Sequence, residues 1–104
     1  MIASKPIFTN DQMKSILNLD YDYSDTDRLQ RLSLSASQYL LEHTGYDWSK
    51  DSTVHPLASD CAEMFVKQRW YEGTQYEKEY DFTMGIQDDL FQLGLMVRSE
   101  GLIS

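Results

Sequence analysis

Residues 26–45 read Thr26-Asp27-Arg28-Leu29-Gln30-Arg31-Leu32-Ser33-Leu34-Ser35-Ala36-Ser37-Gln38-Tyr39-Leu40-Leu41-Glu42-His43-Thr44-Gly45. Leu29, Leu32, Ala36, Tyr39, Leu40 and His43 recur at three- and four-residue spacing, so at about 100° per residue they form one stripe of a helix over 26–43. Gly45 follows directly and is a natural stop, because glycine enters the left-handed conformation without a Cβ penalty. Ahead of the helix, Leu19-Asp20-Tyr21-Asp22-Tyr23-Ser24-Asp25-Thr26-Asp27 is dense in side chains that hydrogen-bond nearby backbone. It reads as a loop ending in an N-cap.

The same reasoning extends in both directions. Thr9 with Gln12 has capping-box spacing ahead of Met13, Ile16 and Leu17, which predicts a short helix over about 10–18. Beyond Gly45 a polar connection runs through residues 46–53 to Pro56, whose missing N–H suits the first turn of a helix. That helix carries Leu57, Cys61, Met64, Phe65 and Gln68 on one side and runs toward Gly73. The stretch 74–82 is ambiguous: Tyr76 and Tyr80 are four apart, as in a helix, but Tyr, Thr and Phe also suit a strand or extended loop. Ile86, Leu90, Leu93 and Val97 make a last helical stripe, closed by Ser99-Glu100-Gly101. The expected fold is all-α, a small bundle of three to four helices with one or two long connecting loops. No repeat or Pro/Gly-rich linker divides the chain, so residues 1–104 read as a single domain.

Composition narrows the function. The 104 residues are 41% hydrophobic and 25% charged, the balance of an ordinary folded domain. Seventeen acidic against nine basic residues give a net charge of −8. That disfavours a broad phosphate-binding surface, which needs clustered Lys and Arg. The small basic groups, Arg28/Arg31 and Lys67/Arg69, read as solvated helix faces. One cysteine supplies neither a disulfide nor a thiolate pair for zinc, which predicts a reducing compartment such as the cytoplasm. The N-terminus lacks the apolar core of a signal peptide, and no run approaches the ~18 apolar residues of a membrane span.

Candidate chemistry is thin. Asp20, Asp22 and Ser24 occupy the first, third and fifth positions of a calcium loop. The sixth, which should be Gly, is Asp25, and the twelfth, which should be a bidentate Glu, is Arg31, so no metal is expected. Cys61 with His55 or His43 could pair a nucleophile with a base. However, Cys61 falls on the apolar side of its helix as a small hydrophobe. His43 lies on the core-side stripe as a packed or capping residue, and His55 reads as loop. Asp88 and Asp89 point about 100° apart on a helix and fit first-turn dipole stabilisation rather than acid/base work. No phosphate loop or nucleophile elbow is present, so neither catalysis nor a cofactor is expected.

What remains is apolar surface in the wrong places. Leu34 and Leu41 lie almost diametrically opposite the Leu29/Leu40 stripe. On the last helix Phe91 and Leu95 lie off the Ile86/Leu90/Leu93/Val97 stripe, beside Gly94, which would admit a neighbouring backbone. A helix apolar on two sides is sandwiched. Leu34, Leu41, Phe91 and Leu95 are therefore the expected interface with another subunit or partner. The alternative is that the aromatic-rich loops 44–55 and 74–82 fold over these faces.

The order of elements also resembles a family. An Asp-rich turn precedes Asp27-Arg28-Leu29, which opens a helix ending in Tyr39-Leu40-Leu41-Glu42-His43-Thr44-Gly45. Then come Pro56-Leu57-Ala58, Arg69-Trp70-Tyr71-Glu72-Gly73, and Met84-Gly85-Ile86 leading to Leu93-Gly94-Leu95. This succession, from about Thr9 to Val97, resembles the small head-tail connector proteins of tailed bacteriophages. The resemblance implies an all-helical adaptor in a ring of typically twelve copies, between the portal and the next stopper or tail connector protein. Genomic DNA would pass through the axial channel without sequence-specific binding, and the location would be the head-tail junction of the virion. Such a ring needs two different patches per subunit, which two-sided helices could supply. Twelve copies at −8 would carry about −96, and an acidic channel would discourage the duplex from sticking. Residues 46–55 and 74–82 match no pattern of the family. A different class also suits a small acidic helical domain: an inhibitor that mimics DNA in the basic cleft of a host nucleic-acid-binding protein.

Overall fold

In the computed structural model, which describes residues 2–101, the elements run α1 (Asn10–Ile16), α2 (Thr26–Thr44), a 3-10 turn (Trp48–Lys50), α3 (Pro56–Tyr71) and α4 (Thr83–Glu100). The fold is all-α, with no strand among the described residues.

The ends of the helices form where side chains satisfy the orphan backbone groups. Thr9 and Gln12 form the reciprocal capping box that opens α1, and Asp25 accepts from Arg28 N to open α2. Gly45 closes α2 with φ 84°, its N–H donating to Leu41 O. Pro56 takes the first position of α3, and the residue before it, His55, is the N-cap: its Nδ1 accepts from Leu57 N at 3.1 Å. His55 is therefore a cap rather than plain loop. Residues 74–82 form neither a strand nor a regular helix. They make successive turns, with Glu77 N donating to Thr74 O and Tyr80 N to Tyr76 O, and Tyr71 stacks on Tyr80 at 3.9 Å between ring centres.

Apolar side chains from every helix meet in one core. Met13, Leu29, Leu40, Cys61, Val66, Leu93 and Val97 are all buried in it. Tyr39 of α2 stacks on Phe65 of α3 with ring centres 4.7 Å apart. Between α3 and α4, Gln68 Oε1 accepts from Phe82 N. The Asp-rich loop is held to the end of α3 by aromatic contacts: Tyr23 meets Trp70 edge-on, and the Arg28 guanidinium lies 4.1 Å from the Trp70 ring centre. Arg28 is thus exposed yet engaged, and not simply solvated.

The segment before α1 carries no helical or strand period, yet it is firmly placed. It crosses the outer side of α2, where the Ser33 hydroxyl accepts from Phe8 N at 2.8 Å and donates to Phe8 O at 3.0 Å. Nearer the chain start, Ala3 N donates to Gln38 Oε1. Ser4 then bonds the Asp47 carboxylate through both its N–H and its hydroxyl. Burial works against the charge on Asp47, but the bonds from Ser4 and Ser49 outweigh it and hold the carboxyl below its usual range. Because Ser33 is buried and satisfies both backbone groups of Phe8, Ser33→Ala should cost about 1–3 kcal/mol. Urea denaturation reads this as a lower midpoint, together with faster amide exchange at Phe8. An unchanged midpoint would show that the segment is not fastened there.

Candidate interface on two helices

The four residues expected at an interface do not share one fate. Leu41 is 4% exposed, so it is corrected from interface to interior. It lies one turn beyond Ser37 and Gln38, on the side of α2 crossed by the segment 3–8 and closed off by Trp48, whose Nε1 donates to the Thr44 hydroxyl. The apolar back of α2 is thus half covered within the chain, by the N-terminal segment and the 3-10 turn. Leu34, on the same side but nearer the start of the helix, remains 40% exposed.

On α4 the outward residues stay open. Phe91 is 62% exposed and Leu95 41%, and neither belongs to the buried core. Met84, at 77%, joins them. It precedes Phe91 by seven residues, two turns at about 100° per residue, so it falls on the same face. This seven-residue spacing was available in the sequence and is the signal that finds it. Beside Phe91 a shallow groove of about 320 Å³ runs between the end of α2 and α4, lined by His43, Gln87, Leu90, Phe91, Gly94 and Arg98. A Cβ added at Gly94 would meet nothing within 4 Å. A neighbouring backbone could approach there.

Cys61 is fully buried, its Sγ 3.8 Å from Ile86 O, and burial, with Asp89 and Asp60 nearby, pushes its thiol up to about 12. A thiol that stays protonated at neutral pH is a poor nucleophile. His43 is exposed, not on the core side: its ring lies tilted against Tyr39 with centres 4.1 Å apart, and its Nδ1–H donates to Tyr39 O. Among the described residues no three His, Cys, Asp or Glu side chains come together to hold a metal ion. No helix there is long and apolar enough to cross a membrane.

Asp88 and Asp89 do not sit in the first turn, because α4 begins at Thr83. Asp89 instead meets Asp60 across the α3–α4 seam. Burial first, then a hydrogen bond with Asp60 and repulsion from Asp60 and Asp88, raise its pKa to about 6, and its buried Oδ2 is left without a hydrogen-bond partner. The pair joins residues 29 positions apart on different helices, so spacing within one helix could not reveal it. A carboxyl whose folded pKa lies above its unfolded value binds its proton more tightly when folded. Its contribution is intact below the unfolded pKa of about 3.8 and is lost as pH rises through about 6. Asp89→Asn should therefore raise the melting temperature at pH 7.5 and leave it nearly unchanged at pH 4. Equal shifts at both values would show that the charge on Asp89 does not burden the fold.

Compared with protein-family models, curated proteins and solved structures, the chain matches none of them.

Proposed function

We propose that this chain is a structural adaptor subunit of a phage head-tail connector. A ring of twelve copies docks on the portal and bridges it to the next stopper or tail connector protein around the DNA channel. The reading starts from the order of sequence elements. The observation that carries it is a pair of separate exposed apolar patches, Leu34 on α2 and Met84, Phe91 and Leu95 on α4. A closed ring is built from heterologous contacts, so each subunit must present two unlike surfaces to its neighbours. Its role would be assembly, with no substrate or cofactor, in the host cytoplasm first and in the virion afterwards.

Deleting the reading frame from the genome that encodes it tests the proposal. Heads should accumulate without tails, and supplying the chain in trans should restore tailed particles. Normal tailed particles from the deletion would overturn it.

A second reading, an acidic DNA mimic bound to a host nucleic-acid-binding protein, is favoured by one observation. Among the described residues the single ion pair is Lys67 with Glu63, so most of the carboxylates are uncompensated. This role predicts that duplex DNA competes with the chain for its partner and that head-tail joining proceeds without it.

A further inference from the structure

The outward face of α4 has an internal order that exposure alone does not convey. Met84, Asp88, Phe91, Leu95 and Arg98 succeed one another at spacings of four, three, four and three, the heptad period of a helix seam. At about 100° per residue they fall within an arc of about 80° on the side opposite Ile86, Leu93 and Val97. All five are exposed. Arg98 and Asp88 form no ion pair with any described residue.

The seam also reads the same when reversed. Phe91 and Leu95 lie equally far on either side of position 93, and so do Asp88 and Arg98. If a second α4 is laid antiparallel across the first, with a two-fold axis at the level of residue 93, Phe91 meets Leu95 of the other copy and Asp88 meets its Arg98. Each pair occurs twice. Gly94, flanking the axis, leaves room for the close approach. Two-fold contacts require such self-complementarity, in which residue i meets j and j meets i. A heterologous surface has no need of it.

We infer that the outward face of α4 is a two-fold interface through which the free protein pairs with a second copy of itself. Apolar contacts at the centre supply the attraction and the two Asp88–Arg98 pairs fix the antiparallel register. Each copy carries −8, but at physiological salt the Debye length is about 8 Å, so local contacts outweigh the distant field. The inference is argued from α4 alone and holds whether or not the chain is a ring subunit. In a ring the same face would meet an unlike surface, and the two-fold pair would be the form that waits for docking.

Charge exchange tests it with the folded, full-length chain. Asp88→Lys turns both ion pairs of the dimer into two facing cations, and Arg98→Glu turns both into two facing carboxylates. Each single variant should dimerise roughly tenfold more weakly in sedimentation experiments, because two attractive pairs are lost and two repulsive ones take their place. Mixing the two variants should favour a dimer containing one of each over either variant alone, because one end of that dimer then regains the original Asp88–Arg98 pair and the other holds the same pair with its signs exchanged. The double variant should dimerise with itself as the wild type does. Circular dichroism of each variant checks that it remains folded. Single variants that dimerise normally, a mixture that stays monomeric, or a wild type that never pairs would each overturn the inference. None of those results would bear on docking to a portal, which the genome deletion tests separately.

Discussion

Under the connector proposal, Phe91→Asp is expected to abolish attachment of the chain to its neighbours and to portal-bearing heads while leaving the fold intact. Phe91 is 62% exposed in the isolated chain, so a carboxylate there stays solvated, and stability should move by no more than about 0.5 kcal/mol. In an interface the same carboxylate would be buried without a partner. Lost burial of the ring alone is worth about 1.5–3 kcal/mol, roughly a tenfold to hundredfold loss of affinity, before the desolvation of the charge is added. Co-sedimentation with heads reads the loss and thermal melting reads the stability. Undiminished binding by a folded variant would remove Phe91 from the interface. A large drop in melting temperature would mean that the ring supports the chain's own core.

Leu93→Ala should do the reverse. Leu93 is fully buried two residues from Leu95, and the two point to opposite sides of α4. Truncating it removes apolar contact and leaves a cavity, at a cost of about 2–5 kcal/mol. For a chain of this size the melting temperature should fall by roughly 10 °C or more. Leu95→Ala, on the outer face, should hardly move it. Similar losses from both substitutions would mean that α4 does not have the one-sided packing described.

The contrast between these neighbours was legible in the sequence because α4 keeps the helical period throughout. Spacing alone puts Leu29, Leu40, Leu93 and Val97 in the core, and Thr9, Pro56, Gly45 and Gly101 mark helix ends by their local chemistry. The failures share a cause. Spacing alone puts Leu41 outside because periodicity describes one helix at a time, while that side of α2 is crossed by residues 3–8, a segment with no period of its own. That segment is fastened by Ser33, Gln38 and Asp47, contacts that span 25 to 43 positions. Angle alone puts His43 inward, although its position at the end of α2 leaves its ring against Tyr39 and open to solvent. The Asp60–Asp89 contact depends on how α3 lies against α4, which no spacing within either helix encodes. Met84 is legible seven residues before Phe91, because the outer face of α4 is a seam with a period of its own rather than two stray residues.

Sedimentation velocity of the unmodified chain over a rising concentration series tests most directly whether this protein carries more apolar helix surface than its own core can cover. The weight-average mass should climb from the 12.1 kDa of one copy toward that of a pair, and Phe91→Asp should hold it at the lower value. A wild type that stays at 12.1 kDa throughout the series, indistinguishable from the variant, would contradict the account.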